Sequence, residues 1–423
     1  MSKQQSDETL LGPFRALDLT DEKGLLCGKI LGILGADVIK VERPRGDPAR
    51  NIGPFYHNIP DPEKSLYWFA LNVNKRGITL NIETSDGRDI FKRLVKTADF
   101  VIESYPPGYM EGLGLGYETL SEINPGIIMT SITPFGQGGP YKDFKGADIV
   151  VWAMGGELYV SGDPDRAPLQ VGVPQAYLQG GLHAAMGSLI AFYHREVTGE
   201  GQHVDVSIQQ AVIQVTQLVT QTWDMLKINT KREGPDSVAI RPTPPGPLYS
   251  PLDWHCKDGM VTLGVSGGAP AMVNSTKKLS NMMEREGMAG KLKDYDWSIY
   301  DGATITQQER DSLDEPVARF VLAKTKSELY EEAVRQQILL APLSTAKDIA
   351  ESPQLAAREF WVEVEHPELG ETITYSGAFA RLSHGQRKVW FRAPLIGEHN
   401  EEVYTELGVS REDLILLKQA GAI

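Results

Sequence analysis

FRALDLTDEKGLLCGKILGILGADVIKVE, residues 14–42, decides the fold. A β-rich run at 14–20 leads into residues 22–34, where Leu25, Leu26, Ile30 and Ile33 recur at helical spacing, and a second β-rich run follows at 37–42. A helix between two short strands is the crossover that parallel neighbours require. The alternation continues outward: a strand at 78–83, a helix at 86–98 opened by the capping candidate Ser85, and a strand at 100–105. A Pro106-Pro107-Gly108 break, a short helix near Leu120 and a strand at 127–132 come next. Repeated units of this kind predict a parallel sheet in an α/β fold.

Beyond it, Leu182, Ala185, Met186, Leu189 and Tyr193 make 178–195 the clearest helix, with His183 at core periodicity. Its Gly180, Gly181 and Gly187 predict close packing of another backbone. A strand at 203–208 and a long helix at 209–226 follow. Residues 241–247, RPTPPGP, read as a loop or linker, because proline removes donors and fixes φ. After it come a strand-loop unit at 260–268 and charged helices. Strands return at 360–366 and 371–375, and helices at 399–407 and after Ser410.

At 423 residues the chain suggests two domains, and 41% hydrophobic with 23% charged residues is an ordinary soluble balance. A net charge of −14 disfavours nucleic acid and anionic membrane as partners, while leaving room for a local basic pocket. The two cysteines, Cys27 and Cys256, have no metal-ligand spacing, which points to a reducing compartment and away from zinc. The polar start, MSKQQSDETLLGPF, lacks the pattern of a signal peptide, and no apolar run reaches the ~20 residues of a membrane span. A cytoplasmic protein is expected.

Several chemistries find no motif. Gly24, Gly28 and Gly32 lie four apart along a helix, not in the tight turn of a dinucleotide fingerprint, so they read as packing glycines. No Walker loop, HExxH pair or GxSxG elbow is present. Two basic groups are candidates for an anionic ligand: Lys40, Arg43, Arg45 and Arg50 after the second strand, and Lys142 with Lys145 before Asp148. Either group also fits plain solvated charge. Gly264-Val265-Ser266-Gly267-Gly268 fits a turn or a loop over a site.

An ordered set of segments resembles the class III CoA-transferase family: LDLT at 17–20, LGADVIKVERPRGDPAR at 34–50 and NKRGITLNI at 74–82. It continues in FVIESYPPGYMEGLGLGYETLSEINPGIIMTSITPFGQGGPY at 100–141, HREVTGEGQHVDVSIQQA at 194–211 and RAPLIGEHNEEVYTELG at 392–408. The resemblance implies a Rossmann-like large domain, here residues 1–225 with 341–423 returning to it, and a small α/β domain at 226–340. It also implies interlocked protomers. Coenzyme A esters are then substrates, with no covalently bound cofactor and no metal. The family's CoA-binding positions fall on Arg43, Leu71, Ser104, Tyr105 and Lys145; guanidinium and ammonium groups suit phosphates, and an aromatic suits adenine.

The family nucleophile is an aspartate opening the long helix in a D-x-x-x-G pattern, and its position is Tyr177, four before Gly181. Its carboxylate forms an anhydride and then an aspartyl-CoA thioester. A phenol, with a pKa near ~10, is protonated at neutral pH and would give only an unactivated ester. Residues 20–26, TDEKGLL, also depart from the family's usual AGP-type turn. The resemblance is therefore to a non-catalytic subunit of a two-chain enzyme, of the succinyl-CoA:benzylsuccinate type, whose homologous partner supplies the aspartate. A CoA-ester-binding or scaffolding protein is the alternative. A 2-methylacyl-CoA racemase-like enzyme would need a His-Asp pair, and Ala147 precedes Asp148. Asp163 and Asp165 read as turn residues rather than substitute nucleophiles.

Overall fold

The computed structural model describes residues 9–234, 236–239, 248–387 and 389–423; the proline-rich 241–247 stretch lies outside them. The chain divides into two compact units, one built from residues up to Leu158, Val171–Asn229 and Ala356–Ile423, the other from Tyr159–Gln170 and Thr230–Leu355.

In the first unit the chain runs β1 (Arg15–Leu19), α1 (Leu25–Ile33), β2 (Asp37–Glu42), α2 (Leu66–Asn72), β3 (Lys75–Thr79), α3 (Ser85–Val95) and β4 (Phe100–Glu103). It continues with α4 (Tyr109–Gly112), α5 (Tyr117–Ile123), β5 (Ile128–Thr133), α6 (Asp148–Met154), α7 (Glu157–Val160), whose last two residues belong to the second unit, and α8 (Gln175–Thr198). Then come β6 (His203–Ser207), α9 (Ile208–Val215) and α10 (Gln217–Leu226). The six strands form one parallel sheet in the order β3-β2-β1-β4-β5-β6. Ala16, Phe100, Ile102 and Ile128 face the α1 and α8 side, while Leu17, Leu19, Val101 and Met129 face α3 and α5. Both faces are covered, as a parallel sheet demands. Strand order reverses between β1 and β4, so a crevice opens at their carboxyl ends.

The glycines of α1 let its backbone lie close on the sheet. A Cβ on Gly28 would stand 2.2 Å from Asp18 Oδ2, and one on Gly32 would stand 3.3 Å from the Asn74 carbonyl. In α8, a Cβ on Gly181 would meet Leu26 Cβ at 3.0 Å and the Cys27 nitrogen at 3.4 Å, the backbone approach its glycines predict.

Several elements depart from expectation. The third strand lies at Lys75–Thr79, in register with Val38–Glu42, not at 78–83. Its leading charges disguise it because each has a fixed partner: Lys75 donates to Asp18 at 2.7 Å, and Arg76 reaches Asp37 and Glu406. The cap of α3 is Thr84, whose hydroxyl accepts from the Gly87 amide, not Ser85. The helix expected over 209–226 breaks at Thr216, where φ −97 and ψ 29 leave the helical region. On α8, Leu182, Met186 and Tyr193 are exposed in the single chain, so that stripe is not core.

The second unit holds an antiparallel sheet in the order β11-β10-β9, from β9 (Asp253–Cys256), β10 (Gly259–Leu263) and β11 (Leu340–Pro342). A hairpin of β7 (Asp236–Ala239) with β8 (Leu248–Pro251) accompanies it. Helices α11 (Pro270–Glu284), α12 (Gln307–Leu322) and α13 (Lys326–Gln336) pack residues such as Met283, Phe320 and Leu329 into one core with Trp254 and Val261 of the sheet. Buried Arg310 is neutralised by Asp314 and donates to the Val265 carbonyl at 2.5 Å, anchoring the 264–268 loop. Short helices α14 (Ala346–Ala350) and α15 (Pro353–Ala357) follow. The hairpin β12 (Trp361–His366) and β13 (Glu371–Ser376) and helices α16 (Asn400–Glu406) and α17 (Arg411–Gln419) belong to the first unit. No helix among the described residues is long and apolar enough to cross a membrane.

Candidate active site

The turn after β1 and the segment after β4 meet at the sheet's crevice. Ser104 Oγ accepts from the Asp21 amide at 2.9 Å and donates to Asp21 Oδ1 at 2.8 Å, which pins the two together. Beside them opens a cavity of about 500 Å³ lined by Arg43, Arg45, Asn81, Tyr105 and Tyr109. The Tyr105 and Tyr109 rings stack at 4.6 Å, and the Tyr109 hydroxyl donates to Glu83.

The basic cluster after β2 separates into two kinds of charge. Lys40 is buried, paired with Asp47 at 3.2 Å, and donates to the Thr20 carbonyl. Arg50 is buried too, forked onto Glu42, bonded to the Pro394 carbonyl and stacked on Trp68 at 3.9 Å. These two hold the fold. Arg43 and Arg45 are exposed on the cavity wall and carry no carboxylate partner among the described residues, so their guanidiniums are free to take phosphate.

Of the positions expected to hold CoA, Arg43 and Tyr105 line this cavity. Ser104 sits behind it, engaged with Asp21. Leu71 is packed with Trp68, Phe69 and Leu25, and Lys145 stands exposed ahead of α6; neither side chain lines the cavity.

Tyr177 lies in the first turn of α8, only 9% exposed. Its hydroxyl donates to the Gly146 carbonyl at 3.2 Å, and its amide donates to Asp148 Oδ1 at 2.9 Å. Burial, reinforced by Glu22, Asp21 and Asp148, pushes the phenol well above its ordinary range, so it stays protonated. Burial also raises Asp148, against the pull of two backbone amides, and its Oδ2 is enclosed without a hydrogen-bond partner. Tyr67 on α2 is raised by burial and then by Glu22 and Asp148. Glu22 itself is raised, first by burial and then by Asp21, which is ion-paired with Lys23.

Glu103 ends β4 only 3% exposed. Burial lifts its carboxyl to about 7, although the Tyr105 amide donates to it at 2.6 Å. Sequence reasoning passed over Glu103, Glu22 and Tyr109. A carboxylate closing an apolar strand was the available signal for Glu103, and the departing 20–26 turn was the signal for Glu22; nothing local marked Tyr109. Asp163 sits in a turn held by Arg232, which donates to the carbonyls of Tyr159, Asp163 and Arg166. That turn also carries Asp165, which is exposed. No group of three or more His, Cys, Asp or Glu side chains among the described residues is arranged to hold a metal ion.

Comparison with known proteins converges on one family. CoA-transferase family III matches residues 15–400. The chain is 34% identical to the succinyl-CoA:(R)-benzylsuccinate CoA-transferase subunit BbsE of Thauera aromatica, over 97% of each chain. It is 33% identical to a formyl-CoA:oxalate CoA-transferase of Streptomyces avermitilis, over 97% of this chain and 98% of that one. A CAIB/BAIF family protein from Brucella suis, 28% identical, superposes with a TM-score of 0.80 over 95% of this chain and all of its own.

Proposed function

The chain belongs to CoA-transferase family III, whose members use CoA esters as substrates and need no cofactor, and on that premise we propose that it is the non-catalytic subunit of a two-chain CoA-transferase. The enzyme would move CoA from an acyl-CoA donor, succinyl-CoA best, to an organic acid of the benzylsuccinate kind. A homologous partner would carry the aspartate.

The observation that carries this reading is Tyr177. At the helix position where the covalent intermediate would form stands a buried phenol, held protonated, its proton directed at the Gly146 carbonyl. It has no carboxylate with which to form an anhydride, and the step that splits the exchange into easier halves is lost. Other features fit a subunit. Arg43 and Arg45 suit the phosphates of CoA and the Tyr105–Tyr109 stack suits its adenine, with Leu71, Ser104 and Lys145 assigned to the same task by resemblance. Leu182, Met186, Ile190 and Tyr193 give α8 an exposed apolar stripe, and Leu218, Met225 and Leu226 do the same for α10. Such a surface suits an interlocked homologous chain. The Thauera aromatica relative is itself named as a subunit.

CoA exchange between succinyl-CoA and aromatic succinates tests the reading. Activity is expected only when the chain is co-expressed with its homologue. It should vanish when the partner's aspartate is changed to alanine, and survive Tyr177→Phe here. Turnover by the isolated chain overturns the proposal.

A further inference from the structure

The second unit holds an open cavity of about 250 Å³ between the end of β8, the 264–268 loop, the start of α11 and residues 300–302. Leu248, Leu252, Val265, Met272 and Tyr300 supply its apolar wall, and no lining side chain among the described residues is charged. The loop that forms one side is fixed. The Ser266 amide donates to Thr276 Oγ1 at 3.1 Å, and that hydroxyl donates back to the Ser266 carbonyl at 2.8 Å. Buried Arg310 donates to the Val265 carbonyl at 2.5 Å and to the Tyr300 hydroxyl at 3.4 Å, so one guanidinium holds two sides of the wall. A Cβ on Gly267 would stand 2.4 Å from Tyr300 Cβ, and one on Gly264 would stand 2.8 Å from Met272 Cε. The loop thus packs directly on Tyr300, and the Met272 methyl lies over its backbone.

We infer that this cavity binds the ring of an aromatic acid. About 150 Å³ of apolar cavity is enough to hold benzene, and this one is larger, with room for a short arm. A thioether and a phenol are groups that pack well on an aromatic ring. A carboxylate, by contrast, meets no available cation. Arg310 is forked onto Asp314 and spends its other bonds on Val265 and Tyr300. The charged end of such an acid therefore stays at the open mouth in water while the ring enters. Leu252, 40% exposed on the wall, is apolar surface that the ring covers. That the ring arrives on an aromatic acid rests on the proposed function; that the cavity suits a ring does not.

Benzylsuccinate and succinate differ by the ring, which makes them the probes. The full-length chain, its 11 methionines labelled with ¹³C-methyl groups, is titrated with each, and the Met272 resonance is identified by its loss in Met272→Leu. Benzylsuccinate should move that resonance to a saturating shift through the ring current, and succinate should leave it in place. Leu252→Trp, which fills the cavity with a ring of its own, should weaken benzylsuccinate binding about tenfold or more. A Met272 methyl unmoved by benzylsuccinate, or moved equally by succinate, overturns the inference without need of a filling variant. Undiminished binding by Leu252→Trp places the ring elsewhere and overturns it too. A Met272 shift alongside failed CoA exchange in the mixture leaves the ring site standing and removes the proposed function; exchange with an unmoved methyl removes the ring site alone.

Discussion

Ionisation of Glu103 opposes the fold. Its ordinary carboxyl value is 4.5, and in the folded protein it rises to about 7, chiefly through burial. The native state therefore holds a proton that the unfolded chain releases between those values. Stability falls as pH rises through this window, and the deficit is complete above it. Glu103→Gln keeps an acceptor for the Tyr105 amide and has no charge to bury. The variant should match the wild type at about pH 5 and exceed it by about 3 kcal/mol at about pH 8, read from urea denaturation. Parallel pH profiles would show that the carboxyl is not strained. The same scale separates the cations of the 40–50 segment. Lys40 and Arg50 look like ligand groups in sequence, yet Asp47, Glu42 and the Pro394 carbonyl consume them, and Arg43 and Arg45 are left for the cavity. Sequence spacing cannot make that division, because Pro394 lies at the far end of the chain.

At the scale of elements, α1 shows why its glycines recur at four-residue spacing. They form the flat side on which the helix meets the strands. At Gly28 the neighbour is the Asp18 carboxylate, which is itself fixed by Lys75 and by the Thr20 hydroxyl at 2.6 Å. Nothing there can yield cheaply. Gly28→Ala should destabilise the protein by about 1–3 kcal/mol, with a lowered melting temperature as the readout. An unchanged melting temperature would mean that α1 can lift off the sheet. Most elements of the first unit were legible in the sequence, since burial on one face imposes a local period of 3.6 or 2. The exceptions share a cause. β3 begins with Lys75 and Arg76, whose partners lie elsewhere in the chain, and the long helix after β6 hides a break at Thr216 that its residue types do not signal.

Across the whole molecule, the apolar stripe of α8 has periodicity without burial. Ile190 is 63% exposed and Tyr193 73%, values that suit a surface another chain covers. On the proposed two-chain reading, replacing both with aspartate should abolish co-sedimentation with a co-expressed homologue while leaving the circular dichroism of the chain unchanged. Undiminished association would place the interface elsewhere. Residues 14–42 by themselves determined the parallel α/β architecture, and the ordered segments from 17 to 408 determined the family. Position 177 carries, in sequence alone, a tyrosine where the resemblance places the family's aspartate. Only the tertiary structure decided which arginines are free and that the Tyr177 hydroxyl is spent on Gly146. The reason is physical. Side-chain period and residue type are properties of a short window, whereas charge balance and desolvation depend on groups brought together from Thr20 to Pro394.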